Sequence, residues 1–79
     1  MDFEKEIIKR LKKRNMFGGK HTAFEHLAKG IPKHAVGEAR KVANHLIKQG
    51  LILTKPTFYG LHVSLNPAKL KEIKEILNR

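Results

Sequence analysis

The segment PKHAVGEARKVANHLIKQGLI, residues 32–52, gathers Lys33, His34, Gly37, Arg40, Lys41, Asn44 and Lys48 at helical spacing. These residue types suit contact with a polyanion. Lysines engage phosphates, which position a protein without reading sequence. Arginine and asparagine carry planar donor sets that match the edges of guanine and adenine. Gly37 is the anomaly, because a glycine inside a helix costs about 1 kcal/mol relative to alanine. On a helical wheel it lies opposite Ala39, Val42 and Leu46, so close helix packing does not explain it. Two readings remain: a backbone left bare for a ligand, or a tolerated surface glycine.

Other chemistry finds little support. The five histidines (His21, His26, His34, His45 and His62) include no HxxxH or HExxH pair, and the chain has no cysteine. A metal site is therefore not expected. His34 and His45 read as surface groups that gain charge as pH falls, which would strengthen binding of an anion. Glu25 reads as a helix cap and Glu38 as a partner for Lys41. The stretch GGKH, residues 18–21, lacks the spacing of a phosphate-binding loop. With no nucleophile, base and acid set in view, neither catalysis nor a cofactor is expected.

The 79 residues suffice for one small domain, residues 1–79, with a formal net charge of +10. The excess is distributed: +3 over residues 1–19, +5 over 20–66 and +2 over 67–79. The folded body, not a tail, is basic, which implies an acidic partner. No apolar run is long enough for a signal peptide or membrane span, so a soluble cytoplasmic protein is expected, nucleoid-associated in a prokaryote. Abundant lysine, absent cysteine and a single glutamine agree with the composition of thermophile proteins.

Apolar periodicity supplies the elements that must position this face. Phe3, Ile7, Ile8 and Leu11 predict a first helix over 2–15, ended by Gly18-Gly19. A very short strand fits near Lys20-His21, and Met16 and Phe17 are expected to tuck under the domain. Thr22 with Glu25 is a capping-box pattern, giving a second helix over 22–29 with Phe24, Leu27 and Ala28 inward. Pro32 opens a third helix over 33–49, which buries Ala35, Ala39, Val42, Ala43 and Leu46. Leu51 to Leu65 then alternates with period two, a hairpin signal with KPTFYG, residues 55–60, as its loop. Asn66 caps a last helix carrying Leu70, Ile73, Ile76 and Leu77.

The expected class is mainly α with a small β-hairpin. Helices two and three, joined through Gly30, make a helix-turn-helix arrangement. From His21 to Leu65, and most tellingly in HLIKQGLIL, where the third helix runs through Gly50 into a strand, the chain resembles a winged helix-turn-helix domain of the broad MarR-like and ArsR-like kind. The resemblance implies double-stranded DNA as partner, in a transcriptional regulator or chromatin-like accessory factor, with the third helix in the major groove. RNA binding through the same face is the alternative, as is a protein module facing an acidic partner. The wing would contribute Lys55, Thr57 and Tyr59 to the flanking backbone or to stacking on an unpaired base, with Phe58 assigned to the core side. In such regulators the terminal helices often build a homodimer. Here Phe3, Ile7, Leu11, Leu70, Ile73 and Leu77 would either do so or cover the back of the domain.

Overall fold

The computed structural model describes residues 2–79. The elements run α1 (Phe3–Lys13), β1 (Thr22–Ala23), α2 (Phe24–Ala28), α3 (Lys33–Lys48), β2 (Ile52–Thr57), β3 (Gly60–Leu65), a 3₁₀ turn (Pro67–Lys69) and α4 (Leu70–Leu77). The sheet is antiparallel, in the order β1-β3-β2. The result is a small α/β domain with one more strand than the hairpin alone.

α1 starts where the Asp2 carboxylate accepts the Lys5 backbone N–H at 3.2 Å. It ends in a Schellman closure: Asn15 takes a positive φ of 56° and the Met16 N–H donates to the Leu11 carbonyl at 3.0 Å. α3 ends in the same way. Gly50, at φ 78°, lets the Leu51 N–H donate to the Leu46 carbonyl at 3.0 Å and turns the chain directly into β2. Asn66 ties this corner to α4. Its amide donates to the Gly50 carbonyl at 2.9 Å, and its side-chain oxygen accepts the Ala68 N–H at 3.0 Å.

Ile7, Ile8 and Leu11 of α1 meet Leu27, Leu46, Ile52, Val63, Leu65 and Ile73 in the core, all essentially fully buried. At about 1.5–3 kcal/mol for each large aliphatic side chain removed from water, this cluster dominates the stability of so small a domain. Ile7, Leu11 and Ile73, offered above as a homodimer stripe, therefore lie inside the domain. Leu70 is exposed, and Phe3 and Leu77 are half-buried. The reading of these helices as cover for the back fits Ile7, Leu11 and Ile73. Met16 and Phe17 pack against the core as expected.

The second helix differs from expectation. Thr22 is not its cap: Thr22 is buried in β1, paired with Val63, and α2 starts two residues later with no side-chain cap. A buried threonine beside a strand position competes with the capping geometry, and pairing with β3 prevails. The short strand falls at Thr22–Ala23 instead of Lys20-His21. The residues just before it are clamped to β3 by the Gly18 N–H to the Leu65 carbonyl (3.0 Å) and the Leu65 N–H to the Met16 carbonyl (2.8 Å). The His21 and His62 rings meet beside this junction, Nδ1 to Nδ1 at 2.8 Å.

What holds a five-residue α2 in place is α1. A helix this short leaves most of its C-terminal carbonyls without internal partners. Arg10 donates to the carbonyls of Leu27 and of Lys29 (2.8 Å), and Arg14 to that of His26 (3.4 Å). Glu6 holds the Arg10 guanidinium from one turn earlier at 3.0 Å. These arginines, positive at the negative end of the α2 dipole, dock α2 onto α1.

Candidate nucleic-acid interface

α3 rests its apolar side on the core through Ala39, Ala43 and Leu46. Ala35 and Val42, expected inward, are half-buried. The helical repeat then forces Gly37, Lys41, Asn44 and Lys48 into one outward stripe, continued at its start by Lys33 and His34. All six are exposed. A Cβ built on Gly37 meets nothing within 4 Å. Helix packing is thus removed as its reason, and the backbone there stands open to solvent between Lys33 and Lys41.

Arg40 behaves differently from the rest of the expected set. Its guanidinium carbon lies 4.9 Å from the centre of the Phe24 ring, over the α2–α3 crossing. This cation–π contact, of order 0.5–1 kcal/mol at an exposed site, anchors the side chain at the flank of the stripe. The planar group lying over the ring keeps its N–H edges for hydrogen bonding.

The electrostatics single out this side of the molecule. Among the described residues the ion pairs are Arg10 with Glu6, and Arg79 with Asp2 and Glu4. Lys41 has no such pair with Glu38, contrary to the sequence reading. From Ala39 to Lys71 the chain contains no Asp or Glu, while Arg40, Lys41, Lys48, Lys55, Lys69 and Lys71 fall within it. The perturbed titratable groups Asp2 and Arg79 lie elsewhere. The Lys5 backbone N–H, reinforced by Arg79, holds the Asp2 carboxyl below its ordinary value, and the Glu4 carboxylate raises Arg79. Carboxylates thus collect on the terminal helices, where Glu4, Glu72 and Glu75 also line a groove with Lys69 and Arg79. The cations of α3 enter none of these ion pairs.

The hairpin is longer and its turn tighter than KPTFYG implied. Lys55, Pro56 and Thr57 belong to β2, and only Phe58 and Tyr59 make the turn. Neither has a positive φ. The reversal is completed by Gly60 at φ 120°, a conformation open to glycine. Lys55 is exposed. Thr57 is not a free contact residue: its hydroxyl donates to the Gly60 carbonyl at 2.7 Å and accepts the Tyr59 N–H at 3.2 Å, which fixes the turn. Tyr59 is 90% exposed as expected, but Phe58, assigned above to the core side, is 98% exposed. The cause is position, since the last strand residues extend past the core and no element lies over the tip. The signal that could have found Phe58 was the length of the alternating runs on either side of Phe58-Tyr59.

Comparison with known proteins finds no matching family model, no matching curated protein and no matching solved structure. Function therefore rests on the site itself. No group of three or more His, Asp or Glu residues that could hold a metal occurs among the described residues, and no described helix is long and apolar enough to cross a membrane.

Proposed function

We propose that this chain is a winged helix-turn-helix protein that binds double-stranded DNA, as a transcriptional regulator or chromatin-like accessory factor. α3 enters the major groove, and the β2–β3 hairpin acts as the wing against the flanking backbone. The observation that carries this reading is the outward stripe of α3: Lys33, His34, Gly37, Lys41, Asn44 and Lys48, exposed together and facing no carboxylate partner in the ion pairs of the domain. In this reading Asn44 bonds adenine and Arg40 guanine, while Lys33, Lys41, Lys48 and Lys55 take phosphates. The order α1-β1-α2-α3-β2-β3-α4, with α2 and α3 joined by a four-residue turn, supports the same reading. Lys9, Lys12 and Lys13, exposed on α1, add positive charge near the backbone.

The test is the double variant Lys41→Ala/Asn44→Ala, assayed by electrophoretic mobility shift against duplex DNA with structured RNA as competitor. Both side chains are exposed, so the thermal melt should be unchanged while DNA affinity falls at least tenfold. Arg40 is left in place because it packs on Phe24. Four phosphate contacts give a slope of log affinity on log salt of about −4, at about −0.9 per contact. Retained affinity in the double variant removes α3 as the reading helix. Preference for the RNA competitor transfers the face to RNA.

A further inference from the structure

We infer that the hairpin tip is a base-stacking element, which directs the protein to DNA carrying unpaired bases beside a duplex. Four observations bear on this. Phe58 and Tyr59 are the most exposed large apolar side chains described, at 98% and 90%. They are held, not loose: the Thr57 hydroxyl fixes the Tyr59 N–H and the Gly60 carbonyl, and the two rings pack edge to face at 5.8 Å between centres. That packing uses the edge of one ring and one face of the other, and leaves the remaining ring faces open. Finally, the hairpin has no carboxylate and carries Lys55 three residues before the turn.

A pair of rings in water on a soluble domain is a stacking platform or an apolar wedge. Charge chooses the occupant. On a chain of net charge +10, with no acid between Glu38 and Glu72, the partner is a polyanion that also offers flat apolar faces. Unpaired nucleobases next to phosphates meet both conditions, and every base has a π face on which an aromatic can stack. Paired bases are covered by their neighbours, so the tip adds little on a blunt duplex. The inference rests on the DNA-binding reading and extends it from the duplex to its junctions and overhangs.

The chain has one tyrosine and no tryptophan. Its intrinsic tyrosine fluorescence therefore comes from Tyr59 alone, at the proposed site of contact. The experiment compares the natural chain with Phe58→Ala/Tyr59→Ala and with Phe58→Leu/Tyr59→Leu. The probes are a blunt duplex, the same duplex with a single-stranded overhang, and vesicles of phosphatidylcholine with phosphatidylserine. Thermal melts of both variants should match the natural chain, since neither ring is in the core. The natural chain should bind the overhang duplex more tightly than the blunt one, with quenching of Tyr59. Both variants should lose about five- to hundredfold on the overhang, the range that stacking of one base covers, and under twofold on the blunt duplex. Equal losses on both duplexes, or none on either, would overturn the inference. So would rescue by the leucine variant, which keeps the apolar surface without the rings. Tip-dependent binding to vesicles with unchanged DNA affinity would assign the tip to an anionic membrane and overturn it as well. A natural chain that binds neither duplex defeats the DNA-binding reading itself, a result separable from failure of the tip alone.

Discussion

Gly37→Ala separates stability from recognition by sign. Position 37 lies inside α3, four residues from its start at Lys33, and has an ordinary helical backbone. Alanine is favoured over glycine in a helix interior by about 1 kcal/mol. The new methyl group meets nothing within 4 Å, so no contact opposes that gain. For a domain of this length, about 1 kcal/mol raises the melting temperature by about 4–8 °C. The same methyl stands midway between Lys33 and Lys41 on the stripe proposed to face DNA. If a phosphate or base edge approaches the bare backbone there, the methyl displaces it and strains the flanking lysine contacts. A tenfold loss of affinity corresponds to about 1.4 kcal/mol and is the smallest effect expected. Melting followed by circular dichroism, with a fluorescence-anisotropy titration on duplex DNA, reads both quantities from one preparation. A variant that melts higher but binds more weakly supports close approach. A higher melting temperature with unchanged affinity would refute it and leave Gly37 a tolerated surface glycine. A lower melting temperature would refute the open setting of position 37.

Two further outcomes concern the scaffold. Arg10→Ala should destabilise the domain by about 2–3 kcal/mol, because hydrogen bonds from a charged donor contribute about 1.5–3 kcal/mol each and partial hydration recovers some of the loss; Arg10→Lys should not restore it, because the guanidinium bonds Glu6 through Nε while its Nη1 serves both Leu27 and Lys29, a spread of donors that one ammonium nitrogen lacks. Denaturant titration decides this, and a loss below about 0.5 kcal/mol would show that water serves those carbonyls equally well. The Asp2 carboxyl, held below its ordinary value of 3.8 by the Lys5 N–H and Arg79, contributes stability above that value and loses it as pH falls through the lowered one. The melting difference between the natural chain and Asp2→Ala should therefore shrink in strong acid, and an equal difference at neutral and acid pH would contradict the capping account.

Much of the fold was legible because period and punctuation agreed. In α3, Ala39, Ala43 and Leu46 repeat at helical spacing between Pro32 and Gly50, and core and stripe follow from the same count. The hairpin was legible as alternation, though its turn was placed too wide. α2 was misjudged at its start because Thr22 suits both a cap and a strand, and only the distant Val63 decides between them. The docking of α2 by Arg10 and Arg14 could not be read at all. On α1 those residues look like ordinary basic residues of a last turn, and their partners are backbone carbonyls, which every residue has. Phe58 was lost for a related reason: apolar character says that a side chain would benefit from burial, not that anything lies near enough to bury it.

The arginines of α1 also bear on modularity. The stretch with the helix-turn-helix pattern, His21 to Leu65, is not a cassette that can be cut out and transplanted. Excision would remove Ile7, Ile8 and Leu11 from against Leu46 and Leu65, and would strip the carbonyls of α2 of their donors in the same cut. A graft of this segment onto another scaffold must carry α1 with it, or replace both its apolar stripe and its two guanidinium groups.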